Sequence, residues 1–102
     1  MVYRVRTLTL TRTKVTEAHA LILRVAAYVN ANFPGVTVEL LRNVGGPVHQ
    51  IHMITCCASL EDLEEYEEEW QLDTEWLALL EEWRLLDAES TDAVDQLYRS
   101  LI

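Results

Sequence analysis

The sequence predicts an α+β fold built on one four-stranded antiparallel sheet. The predicted elements run strand, helix, strand, strand, broken helix, strand, and no internal repeat or linker interrupts them. A chain of 102 residues has room for one hydrophobic core, so we expect a single domain over residues 1–102. Hydrophobic residues make up 50% of the chain and charged residues 25%, which is typical of a folded globular protein.

The first strand and the first helix follow from residue periodicity. Residues Tyr3 to Thr11 alternate and are rich in Thr, Val and Leu, which favours a strand. Thr16 is predicted to be the N-cap of a helix that ends before Pro34-Gly35. Its apolar residues recur at helical spacing, at Ala18, Leu21, Ile22, Val25, Ala26 and Val29.

A hairpin is predicted next along the chain. Val36 to Asn43 and Val48 to Cys57 have strand character, and Gly45-Gly46-Pro47 separates them. A glycine-rich turn between two such runs indicates that the two strands pair with each other.

The rest of the chain predicts a broken helix and a last strand. Ser59 has the sequence context of a helix N-cap, and Asp73 restarts the helix after a break. The tail from Ala93 to Ile102 fits a helical period as well as a strand, and we predict a strand because the topology requires one.

This order of elements defines the ferredoxin-like βαββαβ arrangement, with the helices on one face of the sheet. The second face is left uncovered, and a large exposed apolar face marks an interaction surface. A domain of this size is also only modestly stable alone. We therefore expect the sheet to pack against a second copy of the chain in a homodimer.

Charge and cysteine content narrow the partners and the compartment. The net charge is −9, and seven carboxylates lie between Glu61 and Glu69, so neither nucleic acid nor an anionic membrane is an expected partner. No signal peptide and no membrane span is predicted. Cys56 and Cys57 are adjacent, an unfavourable geometry for a disulfide, and two reduced thiols predict a cytoplasmic protein.

Four short segments resemble NIPSNAP-type proteins: Tyr3–Leu8 with Lys14, Gly46–Met53, Ser59–Asp62 and Asp73–Trp76. The resemblance covers most of the chain and implies the dimeric α/β-barrel fold. That fold is shared with stress-responsive barrel proteins and with cofactor-independent monooxygenases of antibiotic biosynthesis. NIPSNAP-type proteins have no single agreed biochemistry, so the resemblance implies the fold more than the function.

The strand residues can be sorted between the two faces by polarity. The residues predicted to face the helices are Val5, Val36, Val38, Leu40, Ile51 and Met53. The residues predicted to face the dimer partner are Arg4, Arg6, Glu39, Leu41, Gln50 and His52. Charged groups in a closed interior are costly unless they pair or bind something.

Arg6 and His52 are the predicted catalytic candidates. Arg6 would hold an anionic oxygen of the substrate, and His52 would move a proton near neutral pH. The structural alternative is an ion pair between Arg6 and Glu39 across the sheet, with His52 hydrogen-bonded beside it.

Six further residues are predicted to bind a ligand: Arg4, Glu39, Leu41 and Gln50 on the sheet, and Trp70 and Trp76 beside the helix break. The alternative is that these two indoles are core residues, because indoles at helical spacing commonly pack in a core. No metal site is predicted, because His49 and His52 would lie on opposite faces of their strand. No phosphate-binding or haem motif is present, so no cofactor is predicted.

Three functional hypotheses remain open. In the first, the homodimer binds a small organic molecule in a partly polar pocket bounded by its sheets and helices. In the second, the protein is a cofactor-independent monooxygenase whose electron-rich aromatic substrate supplies the electrons to oxygen. In the third, the chain is a protein-interaction module whose acidic helix docks a partner.

Overall fold

Four strands and three α-helices make up the structure, a computed structural model that describes all 102 residues. They are β1 (Val2–Thr9), α1 (Val15–Asn32), β2 (Thr37–Arg42), β3 (Gln50–Cys57), α2 (Leu60–Leu72), α3 (Thr74–Leu86) and β4 (Val94–Arg99). The predicted order of elements is confirmed, including the strand in the tail.

The four strands form one antiparallel sheet in the order β2-β3-β1-β4. This is the ferredoxin-like arrangement, and the helices pack on one face of the sheet as predicted. We call the covered side the helix face and the uncovered side the open face. No helix combines the length and apolar character needed to cross a membrane.

The core lies between the helix face and the helices. The predicted apolar stripe of α1 is buried along its whole length, and it packs in one cluster with Leu8, Ile51 and Met53 of the sheet. The burial of these apolar side chains is the main driving force for closing the helices onto the sheet.

α1 begins earlier than the sequence predicts. Its first residue is Val15, and Lys14 occupies the N-cap position without a side-chain hydrogen bond, so the N-cap predicted at Thr16 is wrong. A single 3₁₀ turn at Arg12–Lys14 precedes the helix, with the Lys14 amide bonded to the Thr11 carbonyl at 2.9 Å. The chain is therefore already turning before Thr16.

The two later helices begin at their predicted caps. Ser59 Oγ accepts a hydrogen bond from the Asp62 amide at 3.1 Å. Asp73 Oδ1 accepts one from the Trp76 amide at 2.8 Å, so the break between α2 and α3 is fixed by a second N-cap. Each cap satisfies an amide that the first turn of its helix leaves unpaired.

The predicted facing of β1 is wrong. Arg4 lies directly opposite Thr55, and Arg6 lies opposite Met53, and both of these partners are buried on the helix face. Directly paired residues share a face of an antiparallel sheet. Arg4 and Arg6 therefore face the helices, and Val5 lies on the open face opposite Ile54.

Candidate functional site

A groove of about 490 Å³ lies between helix α2 and the β1–β4 edge of the helix face. We call it the arginine groove. Its walls are Arg4, Arg6, Leu60, Leu63, Glu64, Glu67, Asp95 and Leu97. Two guanidinium groups, three carboxylates and three leucines thus meet in one cavity.

Strand β1 places both arginines in this groove because alternate residues of a strand share a face. Arg4 is only 8% exposed, which is unusual for an arginine, whereas Arg6 is half-buried. Burial, and secondly the nearby charge of Arg6, lower the pKa of Arg4 from its usual value. The groove therefore holds one of its two positive charges in a poorly solvated position.

Arg6 is fully engaged by the edge strand. Its Nε donates to Asp95 Oδ1 at 2.7 Å and its Nη2 donates to Asp95 Oδ2 at 2.8 Å. These bonds raise the pKa of Arg6 and lower the pKa of Asp95. A two-bond contact of this kind fixes the orientation of both groups and helps to hold β4 against β1.

Arg4 is engaged at one point only. Its Nη1 donates to Glu67 Oε1 of α2, and the structure gives its side chain no other hydrogen bond. Its Nε is buried and unpartnered. An enclosed donor without an acceptor costs about 1–3 kcal/mol. A hydrogen-bond acceptor placed at Nε would therefore stabilise this part of Arg4.

His52 belongs to a separate polar network on the open face. Its Nδ1 lies 2.9 Å from Thr7 Oγ1, and its Nε2 lies 2.5 Å from Asn43 Oδ1. The Asn43 amide nitrogen donates to the Pro47 carbonyl and to Gln50 Oε1, which turns the Asn43 oxygen toward His52. In the neutral imidazole, therefore, Nε2 donates to Asn43 and Nδ1 accepts from Thr7.

The structure does not bring Arg6 and His52 together. The two residues lie on opposite faces of the sheet, so they cannot act on one reacting centre within a single chain. The predicted ion pair between Arg6 and Glu39 is also absent, because Arg6 binds Asp95 and Glu39 lies on the open face opposite Ile54.

The other predicted ligand residues divide into three groups. Glu39, Leu41 and Gln50 share the open face with His52, as predicted, whereas Arg4 lies in the groove on the other side. Trp70 is buried in the core and stacks on Trp76 with a centroid distance of 4.9 Å. Neither indole lines the arginine groove, and the alternative assignment of Trp70 to the core is the one the packing supports.

The sequence reasoning missed the acidic partners of the arginines. Glu67 of α2 follows Leu60 and Leu63 at helical spacing and precedes Trp70 in the same stripe. This position in the apolar stripe could have predicted that the Glu67 side chain faces the sheet. The sequence around Asp95 carried no comparable signal. Its contact with Arg6, 89 positions away, depends on the register between β1 and β4.

Comparisons with known proteins identify the fold class. No protein-family model matches the sequence, and no curated protein matches it at a significant level. Several solved structures match it along nearly its whole length.

One is an uncharacterised NIPSNAP domain protein from Burkholderia xenovorans, with 13% identity, a TM-score of 0.81, and coverage of 98% of this chain and 94% of that one. A NIPSNAP family protein of unknown function from Agrobacterium tumefaciens has 21% identity, a TM-score of 0.78, and coverage of 96% and 86%. A candidate antibiotic biosynthesis monooxygenase from Caulobacter crescentus has 20% identity, a TM-score of 0.79, and coverage of 99% and 90%. The chain therefore has the ferredoxin-like fold of these two groups, as its sequence segments indicated, and the likeness establishes no specific biochemistry.

Proposed function

We propose that this chain is a small-molecule-binding protein that acts as a homodimer. The ligand lies in the arginine groove, and the open face packs against a second copy. We place the protein in the cytoplasm because both cysteines are free thiols, and we treat residues 1–102 as one domain.

The arginine groove is the observation that carries this proposal. Ligand sites are typically concave, of about 300–1,000 Å³, and lined by apolar side chains with a few polar groups that orient the ligand. This groove has about 490 Å³ and is lined by three leucines of α2 and β4 and by five charged residues, two of which are arginines. Its position between sheet and helix makes it accessible in a single chain.

The homodimer is supported by the composition of the open face. Four apolar or aromatic residues, Tyr3, Val5, Ile54 and Cys56, are only partly covered there, and Leu41, Val94 and Tyr98 are exposed. No element of the chain packs over them.

The total surface of the chain also supports a dimer. A compact monomer of 11.8 kDa is expected to expose about 5,900 Å². This chain exposes 6750 Å². The excess is similar to the roughly 800 Å² that each partner buries in a protein interface of standard size.

Native mass spectrometry of protein purified gently from its own extract tests both parts. We expect a doubled mass that carries additional mass released on denaturation. Leu60→Trp narrows the groove and should abolish the additional mass, whereas Leu72→Trp, at the exposed end of the same helix, should retain it. A ligand retained equally by both variants would place it outside the groove, and a monomer would contradict the homodimer.

A second candidate function is the cofactor-independent monooxygenase. The observation that favours it is the match to candidate monooxygenases from Caulobacter crescentus, Deinococcus radiodurans and Nitrosomonas europaea. A substrate in the arginine groove would meet Glu64, Glu67 or Asp95 as its base, since His52 lies on the other face. Oxygen consumption with an anthrone tests this candidate: one oxygen atom of O2 converts the methylene into a carbonyl, and the other leaves as water with the two methylene hydrogens. Unchanged consumption in all three of Glu64→Gln, Glu67→Gln and Asp95→Asn would contradict it.

A further inference from the structure

We propose that the ligand of the arginine groove carries a carboxylate on an apolar body, and that Arg4 is the residue that binds this carboxylate. This inference rests on the proposed function and names the chemical class of its ligand. It depends on the unpaired edge of Arg4, on the single hydrogen bond that Arg4 makes to Glu67, and on the leucines that line the groove.

Arg4 has an unused pair of parallel donors. A guanidinium binds a planar carboxylate best through two neighbouring N–H groups. Arg6 uses its Nε and Nη2 in this way on Asp95. In Arg4, Nε is buried and has no partner, and Nη2 makes no hydrogen bond, although the residue is more than nine-tenths buried.

Glu67 occupies only the remaining side of Arg4. Its bond to Nη1 is single, and its own side chain is 42% exposed, so it remains close to solvent while Arg4 is buried. Glu67 thus neutralises Arg4 in the empty groove without filling the two-donor edge. A ligand carboxylate would take that edge and gain the stronger, better desolvated contact.

The remaining charges favour one negative group over several. The second guanidinium is already satisfied by Asp95, and Glu64 and Glu67 also line the groove. A phosphate or a dicarboxylate would bring additional negative charge beside these carboxylates. A single carboxylate on a hydrocarbon or aromatic body would match Arg4 with its charged group and Leu60, Leu63 and Leu97 with its apolar part.

The test compares octanoate with octanamide, which has the same shape and no charge, by ligand-observed NMR titration. We expect octanoate to bind about tenfold or more tightly than octanamide. Arg4→Met retains the buried stem and removes the charge, and it should abolish this preference. Arg84→Met, which breaks an exposed ion pair on α3, should leave the preference unchanged.

Glu67→Gln provides a readout that does not depend on the folding of Arg4→Met. It removes the competing carboxylate, so octanoate should bind several-fold more tightly to it than to the wild type, while octanamide binding changes little. Equal binding of octanoate and octanamide to the wild type, or weaker octanoate binding to Glu67→Gln, would overturn the assignment to carboxylates and leave the groove as a ligand site. Failure of both compounds to bind would overturn the groove itself together with this inference.

Discussion

Gly35 is the residue at which the turn after α1 depends most on the absence of a side chain. Its φ is +92°, a region that favours glycine, and a Cβ at this position would lie 2.5 Å from the Tyr66 hydroxyl oxygen. That hydroxyl donates to the Pro34 carbonyl at 2.5 Å and ties α2 to the turn. The turn and α2 therefore pack so closely at Gly35 that a side chain there would displace Tyr66.

We expect Gly35→Ala to lower the free energy of unfolding by about 2 kcal/mol, from backbone strain and from the displacement of Tyr66. Urea unfolding measures this change. Gly45→Ala is the matched control, because its surroundings are open and its φ is not positive, and it should change the free energy by less than about 0.5 kcal/mol. Equal effects of the two substitutions would contradict the role of Gly35.

The arginines of β1 show where prediction from single residues fails. A positive charge at Arg4 argued for a position away from the core, yet an arginine can bury its aliphatic stem when its head finds an acidic partner. The partners, Glu67 and Asp95, come from distant parts of the chain. The informative signal was the alternation itself, since Arg4 and Arg6 share their face with the buried Leu8 and Leu10.

At the scale of elements, the junction between α2 and α3 is held by one carboxylate with two roles. Asp73 Oδ1 caps α3 through the Trp76 amide and also accepts a hydrogen bond from the Tyr28 hydroxyl of α1 at 2.7 Å. The Tyr28 bond, and secondly the bond from Trp76, lower the pKa of Asp73 below its usual value. The same contact raises the pKa of Tyr28 to about 12.

This junction predicts a specific loss of stability in acid. A carboxyl whose pKa is lower in the folded state stabilises the fold above its unfolded pKa of about 3.9 and loses that contribution as the pH falls through the folded value. Asp73→Asn should therefore lower the thermal midpoint at pH 7, and its difference from the wild type should shrink below about pH 4.

Thermal unfolding at a series of pH values measures that difference. Asp92→Asn is the control, because Asp92 is exposed in the loop before β4 and makes no hydrogen bond. A difference between Asp73→Asn and the wild type that stays constant down to pH 2 would contradict the assigned role.

Elements were easier to predict than contacts because their signals are local. The stripe of α1, the cap at Ser59 and the restart at Asp73 each depend on residues within a few positions of one another. The start of α1 was the exception. A 3₁₀ turn at Arg12–Lys14 has no strong sequence signature, and it shifted the helix start ahead of Thr16.

At the scale of the whole molecule, the proposed homodimer depends on the open face. Val5 lies near the centre of this face, between Ile54 on one side and Gln96 on the other. A charge at its position would be buried without a partner if the face packs against a second copy.

If the open face carries the proposed homodimer interface, Val5→Glu should leave the chain folded but monomeric. Size-exclusion chromatography with light scattering measures the mass, and circular dichroism checks the fold. Leu72→Glu is the matched control, since Leu72 is 86% exposed on α2 and away from the open face. A folded Val5→Glu dimer would contradict the interface.

The pairing of β1 with β4 has a consequence for the order in which the chain folds during its synthesis. The β2–β3 hairpin is local in sequence, but Arg6 and Asp95 are separated by 89 residues. Contacts between distant segments carry a large loop-closure cost and tend to form late. β4 supplies Asp95 and Leu97 to the arginine groove, so a growing chain on the ribosome has no complete groove until β4 has emerged. A ligand of this groove would therefore stabilise only chains in which β4 has already paired with β1.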